Sequence, residues 1–137
     1  MYQEPPIYST YPLFTEKTEL VEEKSKFTPR LMRKIQEAVA YVDRAYQDHI
    51  SAIGLSTEVK LSVALLQSGM KMHTGYTLYN YQEQVRIRSA RRLLVDTEKS
   101  IQVIAKQVGF KTHSHFSEVF KRIVGVTPSE YRNQYAC

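Results

Sequence analysis

Residues 100–132 read SIQVIAKQVGFKTHSHFSEVFKRIVGVTPSEYR, and their pattern decides the fold. Ser100 stands where a helix N-cap is needed, its hydroxyl oxygen accepting from the free amides of the first turn. Ile101, Ile104, Ala105 and Val108 recur at helical spacing and give that helix one apolar face. Gly109 ends it, because glycine adopts the left-handed conformation of a C-terminal cap without steric cost. Phe110 re-enters the core. Thr112 or Ser114 caps a second helix whose apolar stripe is Phe116, Val119, Phe120 and Ile123, and Gly125 stops it. Thr127-Pro128-Ser129-Glu130 is a capping box with proline at the first helical position, and it opens a third helix.

Two short helices joined by a glycine turn have the geometry of a helix-turn-helix, in which the second helix enters the DNA major groove. The full run resembles the second DNA-binding helix-turn-helix of the AraC/XylS family of bacterial transcription regulators. The residues that carry the resemblance are Ser100-Ile101, Ile104-Ala105, Val108-Gly109-Phe110, Phe116, Phe120-Lys121, Gly125 and Thr127-Pro128-Ser129-Glu130-Tyr131-Arg132.

The first half of the chain repeats the pattern. Ser51, Leu55, Val59 and Leu61 match Ser100, Ile104, Val108 and Phe110 at an offset of 49. Leu66, Met70, Gly75, Thr77 and Tyr81 match Phe116, Phe120, Gly125, Thr127 and Tyr131 at an offset of 50. The change of one residue falls between helices, where insertions are tolerated. An internal duplication predicts two copies of one supersecondary unit. The expected fold is all-α, with about seven helices forming two helix-turn-helix subdomains joined by a long central helix, a homeodomain-like arrangement. The first helix-turn-helix spans about 51–75, the linking helix about 78–95 and the second helix-turn-helix about 100–125. The resemblance covers about Ile35 to Arg132.

Upstream, Thr28-Pro29 starts a helix running to about Asp48, with Leu31, Ile35, Ala38, Val39, Val42, Ala45 and Tyr46 as its buried stripe. Residues 1–28 show no periodicity, and Pro5, Pro6 and Pro12 sit among Tyr2, Tyr8 and Tyr11. They read as a flexible linker or arm, and residues 29–137 as the DNA-binding domain. The proline-rich start has the look of an interdomain linker, so the chain reads as the output domain of a longer regulator whose sensor or effector module is missing here.

Composition narrows the alternatives. The 137 residues are 42% hydrophobic, enough for a small core, and no apolar run approaches the ~20 residues of a membrane span. The start lacks the basic and apolar blocks of a signal peptide. The single cysteine, Cys137, excludes an intramolecular disulfide and a multi-cysteine metal site and fits a reducing cytoplasm. Net charge is +5, and it is unevenly placed: −2 over residues 1–28, +1 over 29–85 and +6 over 86–137. Positive charge concentrated beside the strongest motif suits a polyanionic partner such as duplex DNA.

The resemblance implies two reading helices, Val63–His73 and Thr112–Val124, in successive major grooves. Its base-reading candidates in the first are Ala64, Gln67 and Ser68, with Gln67 suited to bidentate pairing with adenine and Ala64 to a thymine methyl. In the second they are His113, Ser114, Ser117 and Glu118; for Glu118 a surface or intraprotein role stands beside acceptance from cytosine N4. Phosphate candidates are Lys71, Lys121 and Arg122, together with the helix starts at Thr77 and Thr127, where free amides and the helix dipole favour anions. Arg86 matches a common family position and is expected to brace the two subdomains. Departures from the family pattern fall at Ser68, Gly69, Met70 and Glu118. RNA polymerase is a further candidate partner. No cofactor, metal or catalytic residue is expected: His113 and His115 point apart on a helix, and no phosphate loop, nucleophile elbow or paired carboxylates occur. The competing reading is a non-catalytic helical protein-interaction domain with degenerate DNA readers.

Overall fold

The computed structural model describes residues 28–136. The arm expected over residues 1–28, Thr28 apart, and Cys137 lie outside them. The described residues form seven helices and no strand: α1 (Pro29–Ala45), α2 (Ala52–Val59), α3 (Val63–Thr74), α4 (Leu78–Asp96), α5 (Ile101–Gln107), α6 (His113–Val124) and α7 (Pro128–Tyr135). They divide into two compact units, one of residues 28–45 and 50–82 and one of residues 46–49 and 83–136.

In the first unit α1 buries Ile35, Ala38, Val39 and Val42, a single stripe at helical spacing, and packs against α2 and α3. Leu66 and Met70 of α3 are fully buried in the same core. Ser51 caps α2 by accepting from the Gly54 amide at 2.9 Å, and Ser62 caps α3 by accepting from the Leu65 amide at 3.1 Å. The Tyr81 hydroxyl donates to the Asp43 carboxylate at 2.6 Å, which ties the start of α4 to α1. Gly69 is buried, and α3 runs through it unbroken to Thr74.

In the second unit Ile87, Ala90 and Leu94 of α4 pack with Ile104, Ala105, Val108, Phe110, Phe116, Val119, Phe120 and Tyr131. Of the two caps open to α6, the structure uses Thr112, whose hydroxyl accepts from the His115 amide at 3.1 Å. The capping box at α7 is complete. Thr127 accepts from the Glu130 amide and donates its own amide to the Glu130 carboxylate, each at 3.1 Å. These two bonds with Thr127, backbone first, hold the Glu130 carboxyl below the usual carboxylate range, and Lys121 adds a smaller push the same way.

Helix α1 ends at Ala45, three residues short of the Asp48 expected from periodicity. The Tyr46 and Asp48 carbonyls accept instead from the Arg86 guanidinium, Nε at 2.7 Å and Nη2 at 3.1 Å. A charged donor offers these carbonyls a stronger partner than another turn of helix would. The brace expected of Arg86 therefore takes the form of bonds to backbone carbonyls of the segment 46–49, which belongs to the same unit as Arg86.

The turns of the two helix-turn-helix motifs share one backbone and differ in residue. Lys60 closes α2 at φ 59° and ψ 48°, and Gly109 closes α5 at φ 109°. In each, the next amide reaches back five residues: Leu61 to the Ser56 carbonyl and Phe110 to the Ala105 carbonyl, both at 2.9 Å. A Cβ at Gly109 would lie 2.7 Å from the Gln47 carbonyl oxygen and 2.9 Å from Arg86 Nε, so glycine is required there on two counts. Lys60 has only the left-handed penalty, roughly 1–2 kcal/mol for an L-residue. Lys60→Gly should accordingly raise the unfolding free energy by about 1 kcal/mol, and Gly109→Ala should lower it by about 2–4 kcal/mol; urea unfolding of both variants beside the parent chain measures the contrast.

Candidate nucleic-acid interface

Each unit presents one helix whose first turn is held by a cap and whose far side is sunk in the core. In the second unit that helix is α6. Behind it stands a file of rings: Phe110 to Phe116 at 5.4 Å between centroids, Phe116 to Phe120 at 5.7 Å, Phe120 to Tyr131 at 5.6 Å and Tyr131 to Tyr135 at 4.7 Å. Rings at such separations pack in tilted or edge-to-face pairs and resist rotation of the helix they carry. The opposite face exposes His113, Ser114, His115, Glu118, Lys121 and Arg122, with Ser117 half-buried at its margin.

These residues are differently engaged. The His115 ring stands edge-on to Phe110, centroids 5.4 Å apart at 79°, so it is exposed yet oriented. Arg122 Nη2 donates to Glu83 Oε1 at 2.8 Å; the arginine side chain is 58% exposed, and the carboxylate side chain 7%. Arg122 therefore enters any phosphate contact from an existing ion pair. Lys121 is exposed beyond it.

In the first unit α3 exposes Val63, Ala64, Leu65, Ser68, Lys71 and His73. Gln67 is half-buried, and its Oε1 accepts from the Leu78 amide at 3.0 Å, satisfying the first free donor of α4. A bidentate adenine contact needs that same oxygen, which already accepts one bond. Thr127 is similarly engaged, its amide being already donated to Glu130. Thr77 is half-buried, and its hydroxyl takes a long 3.5 Å bond from the Asn80 amide. Among the described residues there is no group of three or more metal-ligating side chains, and no helix is long and apolar enough to cross a membrane.

Leu65 and His115 were not among the reading residues expected from the sequence. Both sit one position before the core anchors Leu66 and Phe116 at the offset of 50, and that register is the signal that finds them.

A family model described as "Helix-turn-helix domain" matches residues 55–134. The HTH-type transcriptional activator RhaS of Pectobacterium atrosepticum is 30% identical over 100 residues, covering 73% of this chain and 36% of the relative. The arabinose operon regulatory protein of Salmonella typhimurium is 30% identical over 105 residues, covering 76% of this chain and 37% of that protein. The chain belongs to the AraC family of transcription regulators. A solved structure of a transcriptional regulator with an AraC-type DNA-binding domain, from Chromobacterium violaceum, superposes at a TM-score of 0.70 with 30% identity, covering 74% of this chain and 91% of that one. The AraC-type domain is thus present with both of its helix-turn-helix motifs. The chain spans little more than a third of the length of the curated relatives it matches.

The Arg122–Glu83 pair sets an expectation for this AraC-type domain. Glu83→Gln keeps the shape and removes the competing charge, so duplex affinity should rise at low salt. The slope of log K against log salt should steepen by up to about one unit. Fluorescence anisotropy titrations over a salt series measure this, and an unchanged slope would place Arg122 out of reach of phosphate.

Proposed function

We propose that this chain is the DNA-binding output domain of a larger AraC-family regulator. It binds duplex DNA sequence-specifically, with α3 and α6 each entering one of two successive major grooves. The observation that carries the reading is the exposed row on α6, His113, Ser114, Glu118 and Lys121, held outward by the aromatic file behind it. Helix starts present side chains to base edges, and lysines further along meet phosphates. His113, Ser114 and Ser117 are therefore assigned to base reading in the second motif, and Ala64 and Ser68 to the first. Lys71 and Lys121 are assigned to phosphates, Arg122 joins them when its ion pair opens, and Thr77 contributes at the start of α4. Glu118 is assigned either to acceptance from cytosine N4 or to a surface role.

The domain acts by binding alone, without catalysis, metal or cofactor, and works in the cytoplasm. The regulatory signal enters through a sensor or effector module carried elsewhere in the full regulator. A protein partner is the second role, with RNA polymerase as the candidate. Exposed Ile53, Tyr79 and Val103 favour it, being large apolar side chains outside the reading helices.

Selection from a randomised duplex library, followed by titration of the winner across salt, tests the reading. Two blocks about one DNA turn apart are expected. Lys121→Ala should weaken binding to every sequence and reduce the salt slope by about one unit, whereas Ser114→Ala should change preference at particular positions. No enrichment, with weak and salt-insensitive binding, would replace the regulator reading with the interaction domain.

A further inference from the structure

We propose that α3 recognises thymine through its C5-methyl group, using the apolar run Val63, Ala64 and Leu65; the inference rests on the DNA-binding reading above. Ser62 caps the helix, so these three residues make up its first turn, the part of a reading helix that meets base edges. Val63 is 38% exposed and Leu65 39%, and Ala64 is exposed between them, while the next residue, Leu66, is fully buried. The first turn therefore faces outward and is not part of the core.

The matching turn of α6 is His113, Ser114 and His115, all able to hydrogen-bond. On α3 none of the three side chains can. Of the polar side chains on either side, Ser62 is engaged in capping the Leu65 amide, and Gln67 has its oxygen bound to the Leu78 amide. An apolar side chain in the major groove has one distinguishing feature to detect, the methyl group on thymine C5. Charge favours DNA over an apolar protein surface as the occupant. Helix α3 contains no acidic residue, Lys60 is exposed just before it, and Lys71 is exposed on it. The two motifs thus divide the work at their first turns: that of α6 reads by hydrogen bonds and that of α3 by methyl contact.

The test uses the full 137-residue chain. A duplex is selected from a randomised library, and the winner is resynthesised with deoxyuridine replacing each thymine in turn. That change removes one methyl group and leaves every hydrogen-bonding group in place. The expected result is methyl-sensitive thymines clustered in one block of the site, each substitution costing about fourfold in Kd, the equivalent of one buried methylene-sized group. Leu65→Gln should abolish that sensitivity, and Ser114→Ala should leave it intact. Val63→Asn, which removes both γ-methyls at an exposed first-turn position, provides the same reading if Leu65→Gln melts early by circular dichroism. Deoxyuridine tolerated throughout, a block without thymine, or sensitivity that survives in both α3 variants would overturn methyl reading while leaving DNA binding in place. A library that yields no winner would overturn both.

Discussion

The Arg86 guanidinium holds the second unit's reading machinery in place. It takes the Tyr46 and Asp48 carbonyls, at 2.7 and 3.1 Å, and lies 5.5 Å from the centre of the Phe110 ring. Its Nε crowds the position that a side chain on Gly109 would need. One cation therefore caps the segment that follows α1, stacks against the first ring of the aromatic file and fixes the turn between α5 and α6. Because Phe110 begins the file that reaches Phe116, Phe120 and Tyr131, the orientation of the exposed α6 face depends on that turn. Charge-assisted hydrogen bonds to carbonyls are stronger than neutral ones, which suits a group asked to hold several segments at once. Arg91, fully buried beneath Tyr131, repeats the device one and a half turns further along α4, its Nε 3.2 Å from the tyrosine hydroxyl.

The duplication preserves the backbone more faithfully than the side chains. Both turns use a left-handed residue and a five-residue reach back to the helix, yet one is lysine and the other glycine. Only the second has a carbonyl and a guanidinium pressed against it. Likewise α3 and α6 are both 12 residues long, each with a hydroxyl N-cap and a left-handed glycine C-cap. What differs is the outward face, because core contacts fix one side of each helix and leave the other free to vary.

Much of this was legible because it is local. The N-caps at Ser51, Ser100 and Thr127 and the glycine stops at Gly75 and Gly125 depend on residues three or four apart, and the structure places each where the sequence indicated. The features that the sequence did not reveal are long-range. The engagement of Gln67 depends on an amide eleven residues away, that of Arg122 on a carboxylate 39 residues away, and the early end of α1 on Arg86, 38 to 40 residues from its acceptors. Periodicity along one helix contains no information about a partner on another element. At the reading faces the sequence could say which side chains point outward, but not which of them the protein had already engaged.

That distinction bears on how such a domain gains specificity. A reading helix offers only a turn or two of side chains to the groove, and every one bound internally has less to offer a base. Gln67 secures the start of α4, behind an α3 first turn that is apolar; in the second unit the corresponding place is Ser117, half-buried, and the polar first turn beside it remains exposed. Phosphate attraction is blind to sequence and can come from any exposed lysine. The discriminating contacts are the scarce ones, so the internal hydrogen bonds that stabilise each unit also decide which chemistry its helix can present. Two copies of one fold whose reading helices open on different residues, Val63-Ala64-Leu65 and His113-Ser114-His115, thus present different chemistry within a single chain.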